Sequence, residues 1–293
     1  MNSLEIAENY GFLLYRKNSY PHVSLRFKGV DFHIDTKPGE GFNLITHAHS
    51  DHYGVRNLQN PNAVASLETA KILEAVTGKS FAGKTFEIGE ILDLNGIKVK
   101  TFPTEHIHGA TAFYIRGADV LITGDVKDWR RLPKCRVLIT EATYGHPSFV
   151  FEDEIEKLIR AAKGRATLGA YPIGKAQRVA EILSKEGLDF TAEERIRKIC
   201  SALGIEVGNS GARIVSPRNL DNGYILTAQR YYRIPRIVLS DHIDYRGIIS
   251  MVEHCEAEHV VFYHGKASEK LKKELASSGV SCSTIEDVDI TLP

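Results

Sequence analysis

The stretch Phe42-Asn43-Leu44-Ile45-Thr46-His47-Ala48-His49-Ser50-Asp51-His52 decides how this chain is read. Its first half is a short apolar run preceded by the polar segment TKPGEG, residues 36–41, which is the pattern of a buried strand. Its second half places imidazoles at 47, 49 and 52 and a carboxylate at 51 in the turn that leaves the strand. Side chains two residues apart at a strand end share a face, so these groups can converge. Imidazole nitrogen and carboxylate oxygen together suit a divalent ion such as zinc or manganese. A patch of merely hydrogen-bonded polar residues would not need four such ligands in so short a run.

The rest of the composition sets bounds. The chain has 293 residues, 43% apolar and 25% charged, which excludes collagen-like, disordered and low-complexity architectures. Lys plus Arg equals Asp plus Glu at 37 each, so the total carries no basic bias toward nucleic acid. No apolar run reaches the ~18 residues of a membrane helix, and the N-terminus has no apolar stretch leading to a cleavage site. A soluble cytoplasmic protein without a membrane partner is expected. Cys135, Cys200, Cys255 and Cys282 form no CxxC pair, so buried free thiols are expected rather than a zinc knuckle or a disulfide framework.

Along the chain, FLLYR, VSLRF and VDFHID (residues 12–35) read as a strand meander with a turn at Lys28-Gly29. A helical pattern covers 66–78, and strand candidates then recur as far as CRVLITEA, which favours a β-sandwich over a doubly wound sheet. Near residue 150 strands and helices begin to alternate. EDEIEKLIRAAK, IGKAQRVAEILSKEG and TAEERIRKICSALG read as helices, the last with Thr191 and Glu194 as a capping box. RATLGAYP, ARIVSP and GYILTAQ read as strands between them. Strand RIVLSDH, a helix from Asp244 to His254, strand HVVFYHG and a last helix follow. The expected division is 1–147 with 237–293 as one domain and 148–236 as a small α/β insert. The insert holds 15 Lys/Arg against 11 Asp/Glu, so the neutral total conceals a basic insert beside an acidic body.

HAHSDH resembles the HxHxDH signature of the metallo-β-lactamase superfamily, whose fold is an αββα sandwich: two stacked sheets flanked by helices. The other parts of that pattern occur in order: His106 in FPTEHIHGA, Asp125 in LITGDV and His264 in VVFYHG. The resemblance implies two divalent ions, zinc first and manganese as the other candidate. It places His47, His49 and His106 on one, Asp51, His52 and His264 on the other, and Asp125 between them. Aligning on Gly109-Ala110 selects His106, with His108 the alternative, and Glu105 stands where the nuclease branch has glycine. Glu141 in LITEATYG and His242 in VLSDHIDY resemble motifs of the β-CASP nucleases. TEATYGHPSF, YPIGKAQRV and LSDHIDYRGI look most like the DNA-ligase-associated exonucleases, kin of the Artemis-type repair enzymes. The insert is much shorter than that of the RNA-processing members.

The resemblance implies a metal-dependent exonuclease acting on DNA ends or single strands, 5′ to 3′, in repair. Two ions would polarise the phosphoryl oxygen and activate a hydroxide, with Asp51 in the catalytic set. His242 would protonate the leaving oxygen, held by Glu141, with Asp244 a lesser candidate for that orienting part. Lys175 and Arg178, at a glycine-led helix start, are candidate phosphate contacts. Arg218 is another, and Arg230 to Arg236 with Tyr231 and Tyr232 could track a strand. The alternatives are an RNA-processing nuclease of the same fold and a glyoxalase-type thioester hydrolase, which would share HxHxDH but lack the basic insert.

Overall fold

The computed structural model describes residues 1–16 and 22–289; residues 17–21, within the expected meander, lie outside them. Helix α1 (Ser3–Tyr10) leads into β1 (Leu13–Tyr15), β2 (Ser24–Phe27), β3 (Val30–Ile34), β4 (Phe42–Leu44), β5 (Ala63–Ser66), α2 (Leu67–Thr77) and β6 (Lys84–Phe86). These six strands form one sheet in chain order. The β2–β3 turn is Lys28-Gly29 with both φ positive, 49° and 77°, as a tight hairpin requires.

The second sheet takes β7 (Ile91–Leu94), β8 (Ile97–Pro103), β9 (Thr111–Ile115), β10 (Val120–Ile122) and β11 (Val137–Ala142). A third sheet then intervenes in sequence. It alternates α3 (Ile155–Lys163), β12 (Thr167–Gly169), α4 (Lys175–Lys185), β13 (Phe190–Ala192), α5 (Glu194–Ala202), β14 (Ala212–Val215), β15 (Tyr224–Leu226) and β16 (Arg236–Ile237). After it come α6 (Tyr245–His254), β17 (His259–Gly265), α7 (Glu269–Ser277) and β18 (Ser281–Thr284). Strands β17 and β18 return to the second sheet, β17 lying parallel beside β11.

The protein is therefore a mixed α/β fold with a sandwich of two sheets. Period-two alternation makes the sandwich. Val137 and Ile139 face inward, meeting Leu14, Phe32, Ile34 and Leu44 of the first sheet in one core. Leu138 and Ala142 face the other way, onto Ile248, Met251 and Val252 of α6 and Leu271 and Leu275 of α7. No helix among the described residues is long and apolar enough to cross a membrane.

By contact density the chain divides into two compact units: Met1–Ala70, Ser80–Val150 and His242–Pro293 form one, Lys71–Lys79 with Phe151–Asp241 the other. In the second unit Leu158 of α3 and Val179, Leu183, Ile196 and Cys200 of α4 and α5 pack on Leu168, Ile214 and Leu226 of the parallel sheet. One local expectation fails there. Thr191 does not cap α5: it lies in β13 opposite Arg213, and Glu193 is the N-cap. Sheet pairing satisfies the Thr191 backbone, and its hydroxyl accepts from Arg197 Nη2 at 2.6 Å. The sheet ladder wins over the local capping motif. Cys135, Cys200 and Cys255 are buried free thiols, with Cys282 half-buried.

Candidate metal centre

All the candidate ligands belong to the first unit and issue from carboxyl ends of strands, where ligands gather in parallel sheets. His47 to His52 follow β4, His106 follows β8, Asp125 follows β10, Glu141 is near the end of β11 and His264 is near the end of β17. Glu141 and His264 are direct partners in the β11–β17 ladder, past a bulge at Thr140/Glu141. Such a bulge re-aims side chains.

Two groups form. His47, His49, His106 and Asp125 each offer a ligand atom within 4.8 Å of the others, and so do Asp51, His52 and His264. His49 Nδ1 lies 3.0 Å from His47 Nε2 and 3.2 Å from His106 Nε2. A tetrahedron with vertices ~2.05 Å from its centre has edges of roughly 3.3 Å, so these spacings suit shared coordination of a small divalent ion. Asp125, only 3% exposed, stands between the groups. Its Oδ2 is 3.6 Å from His47 Nε2 and 3.5 Å from both His52 Nε2 and His106 Nε2, while Oδ1 is 3.4 Å from His264 Nδ1. His106 is the histidine drawn in; His108 is in none of these groups. Asp51 is 61% exposed, its Oδ2 3.6 Å from His264 Nε2.

His52 Nε2, Asp125 Oδ1 and His264 Nδ1 are buried and make no hydrogen bond. Each such group costs about 1–3 kcal/mol, and a cation among them would satisfy all three. The donor set fits a divalent metal.

Asp35, at the end of β3, was not anticipated from sequence. Its carboxylate accepts from Thr46 N at 2.8 Å, Thr46 Oγ1 at 2.6 Å, His52 Nδ1 at 2.7 Å and Tyr263 OH at 3.1 Å. That bond commits the His52 proton to Nδ1 and turns Nε2 toward Asp125. Thr46 Oγ1, already donating to Asp35, can accept from His47 Nδ1 at 3.0 Å and turns His47 Nε2 inward in the same way. Gly124 permits this packing. Its φ is 64°, and a Cβ there would meet Thr46 Oγ1 at 2.5 Å and Thr46 Cβ at 2.6 Å. Gly124→Ala is expected to destabilise by about 1–3 kcal/mol and to loosen the His47 group, read as a lower Tm with weaker metal retention. An unaltered Tm would show that Thr46 is free to move. Glu105 has φ 53°, the left-handed region that favours glycine.

Glu141 is buried and clamped, its Oε1 accepting from Val126 N at 2.7 Å and its Oε2 from Thr143 N at 3.3 Å. Both oxygens lie 2.9 Å from His242 Nδ1. His242 is 21% exposed, with Nδ1 4.0 Å from Asp125 Oδ2 and its ring 4.5 Å from that of His106. Asp244, by contrast, caps α6 by accepting from Gly247 N.

Lys175 and Arg178 are placed inside the second unit. Lys175 is 6% exposed, its Nζ bound to Leu239 O at 2.9 Å and Asp241 Oδ2 at 3.1 Å. Arg178 binds Ser240 O at 2.6 Å, Asp241 Oδ1 at 3.3 Å and Asp153 Oδ2 at 2.7 Å. The charge expected to meet a phosphate is met from within, as a buried cation requires. Arg218 is exposed.

Electrostatics without metal make a testable statement. Burial opposes charge on His52, but Asp125 and Asp35 prevail and push its pKa up to about 9. His264 is raised too, burial opposing and Asp125 favouring its charge. His47 moves oppositely, held well below 6.5 by burial and by the His52 charge. A raised histidine contributes stability that is complete below its ordinary 6.5 and lost as pH climbs through about 9. The chelated protein is therefore expected to lose Tm across that window. Metal-loaded protein should not follow it, because binding displaces those protons. Parallel Tm curves with and without chelator would refute the pairing.

No family model matches the chain. Over 156 residues it is 28% identical to Endoribonuclease YSH1 of Eremothecium gossypii, a stretch that is 46% of this chain and 20% of that protein. The His/Asp groups and this similarity fit the metallo-β-lactamase superfamily. A crystal structure of a protein of unknown function from Enterococcus faecalis V583 has the same fold, with TM-score 0.61 at 13% identity over 96% of this chain and 97% of that one.

Proposed function

We propose that the protein is a divalent-metal-dependent nuclease. The observation that carries this reading is the His242–Glu141 pair at 2.9 Å beside Asp125. His47, His49, His106 and Asp125 would hold one ion, and Asp51, His52, His264 and Asp125 a second, zinc before manganese. Bound ions supply a Lewis acid for the phosphoryl oxygen and an activated water.

The chain's own residues do the rest. Glu141, fixed by the Val126 amide, accepts the Nδ1 proton of His242 and favours its cationic form. His242 then carries a proton on Nε2 for the leaving oxygen. That donor separates the reading from thioester hydrolysis. A thiolate, with conjugate-acid pKa ~8.5, departs without an acid, whereas a far more basic alkoxide needs one.

A DNA exonuclease working from the 5′ end is the first substrate reading, supported by the motif resemblance around Glu141, Lys175 and His242. RNA cleavage is the second, favoured by the similarity to an endoribonuclease. Digestion of matched 5′- and 3′-labelled DNA and RNA strands with zinc or manganese tests both. Mononucleotides released from the 5′ end of DNA are expected. Internal RNA fragments would favour the second reading, and thioester hydrolysis without strand cleavage would overturn both.

A further inference from the structure

The third sheet is wholly parallel, in the order β13-β14-β12-β15-β16. Gly169 at the end of β12 pairs with both Val215 and Ile225, so β12, β14 and β15 release the chain at one edge. After β12 the chain builds β13 and β14 on one side and then β15 and β16 on the other. Strand order reverses here, the place where parallel sheets form a crevice at their carboxyl ends.

What emerges at this edge is aromatic and cationic. Tyr171 follows β12, Arg218 follows β14, and Arg230, Tyr231, Tyr232 and Arg233 follow β15. Tyr231 is 94% exposed, Tyr171 54% and Tyr232 43%, and these three are the second unit's exposed large apolar side chains among the described residues. Arg218, Arg230 and Arg233 are exposed as well. Three exposed rings thus follow strands that end at one edge of the sheet, which makes that edge a candidate contact surface.

The backbone that carries two of the rings is tied down. Ile225 N donates to Pro235 O at 2.9 Å, and Arg236 Nη1 donates to Ala228 O at 3.2 Å and Gln229 O at 2.6 Å, closing the loop at its base. A loop closed at its base loses less backbone entropy when a flat partner lies on it.

We propose that Tyr171, Tyr231 and Tyr232 form a stacking platform for the unpaired bases of a nucleic-acid strand, with Arg218 and Arg233 on its phosphates. The identity of the occupant rests on the nuclease reading above and on the charge beside the rings, where Arg218, Arg230 and Arg233 are exposed. Bases stack on exposed rings with little regard to sequence, at about 1–3 kcal/mol per base.

The test measures binding of labelled oligothymidylate, oligouridylate and an abasic strand of equal length to chelated protein, where no cleavage occurs. The Tyr231→Ala/Tyr232→Ala variant should bind both base-carrying strands about 10- to 100-fold more weakly, and Tyr231→Phe/Tyr232→Phe should restore binding. The abasic strand should bind weakly to every variant. Arg218→Ala should weaken all three strands and lower the log–log salt slope by roughly 0.7. An Ala variant that binds base-carrying strands like wild type, or that loses the abasic strand equally, overturns the platform. Strand cleavage by metal-loaded wild type is scored separately. Cleavage with tyrosine-independent binding sinks the platform alone, and base-dependent binding without cleavage by any metal sinks the nuclease reading alone.

Discussion

Asp125→Ala is expected to abolish phosphodiester hydrolysis and to drop metal content toward one ion per chain. Among the described residues Asp125 is the carboxylate that approaches His47, His52, His106 and His264 together, at 3.4–3.6 Å. Without it the two histidine groups no longer share a ligand, and His52 loses the carboxylate that most favours its charge. Transition-state stabilisation by a metal is several kcal/mol, so the loss should be on the order of 10³-fold or more. Asp125→Asn keeps the volume and removes the charge, which separates ligation from packing. Metal analysis and turnover on a labelled strand decide it. Two ions per chain with ordinary turnover in either variant would remove Asp125 from the centre.

His242→Ala should leave both ions and the fold in place and slow turnover by ~10²–10⁴-fold, the usual contribution of a general acid. The buried Glu141 carboxylate keeps its Val126 and Thr143 amide bonds in that variant, so the strand end stays anchored. A variant that sheds metal would make His242 a ligand, and one with the wild-type rate would have no acid there.

The sequence discloses features whose partners are local. HAHSDH places its ligands within one turn, and Lys28-Gly29 carries its own backbone requirement. Leu138 and Ala142 alternate with Val137 and Ile139, so the two faces of β11 are visible in the letters themselves. Features held by distant partners stay hidden. Asp35 looks like any polar residue closing a strand, because Thr46, His52 and Tyr263 reach it only in the fold. Lys175 and Arg178 read as a solvent-facing phosphate site because Asp153 and Asp241 are remote in the chain. Thr191 and Glu194 satisfy a local capping rule that β13 pairing overrides. RIVLSDH reads as one long strand, yet only Arg236–Ile237 pairs, the rest being held by side chains of α4 and its neighbours.

The ladder between β11 and β17 joins Glu141 to His264, residues that the whole of 151–241 separates in the chain. That contact governs the order in which the molecule can assemble. Closing so long a loop adds only logarithmically to the entropic cost, but non-local strand pairing is slow compared with helix formation. During synthesis His47 through Asp125 leave the ribosome well before β17 exists, so the first histidine group can gather while the second waits for the final quarter of the chain. An ion held by the second group would gain its His264 ligand only with this closure. The kinetics of metal incorporation would then serve as a clock for the last step of folding.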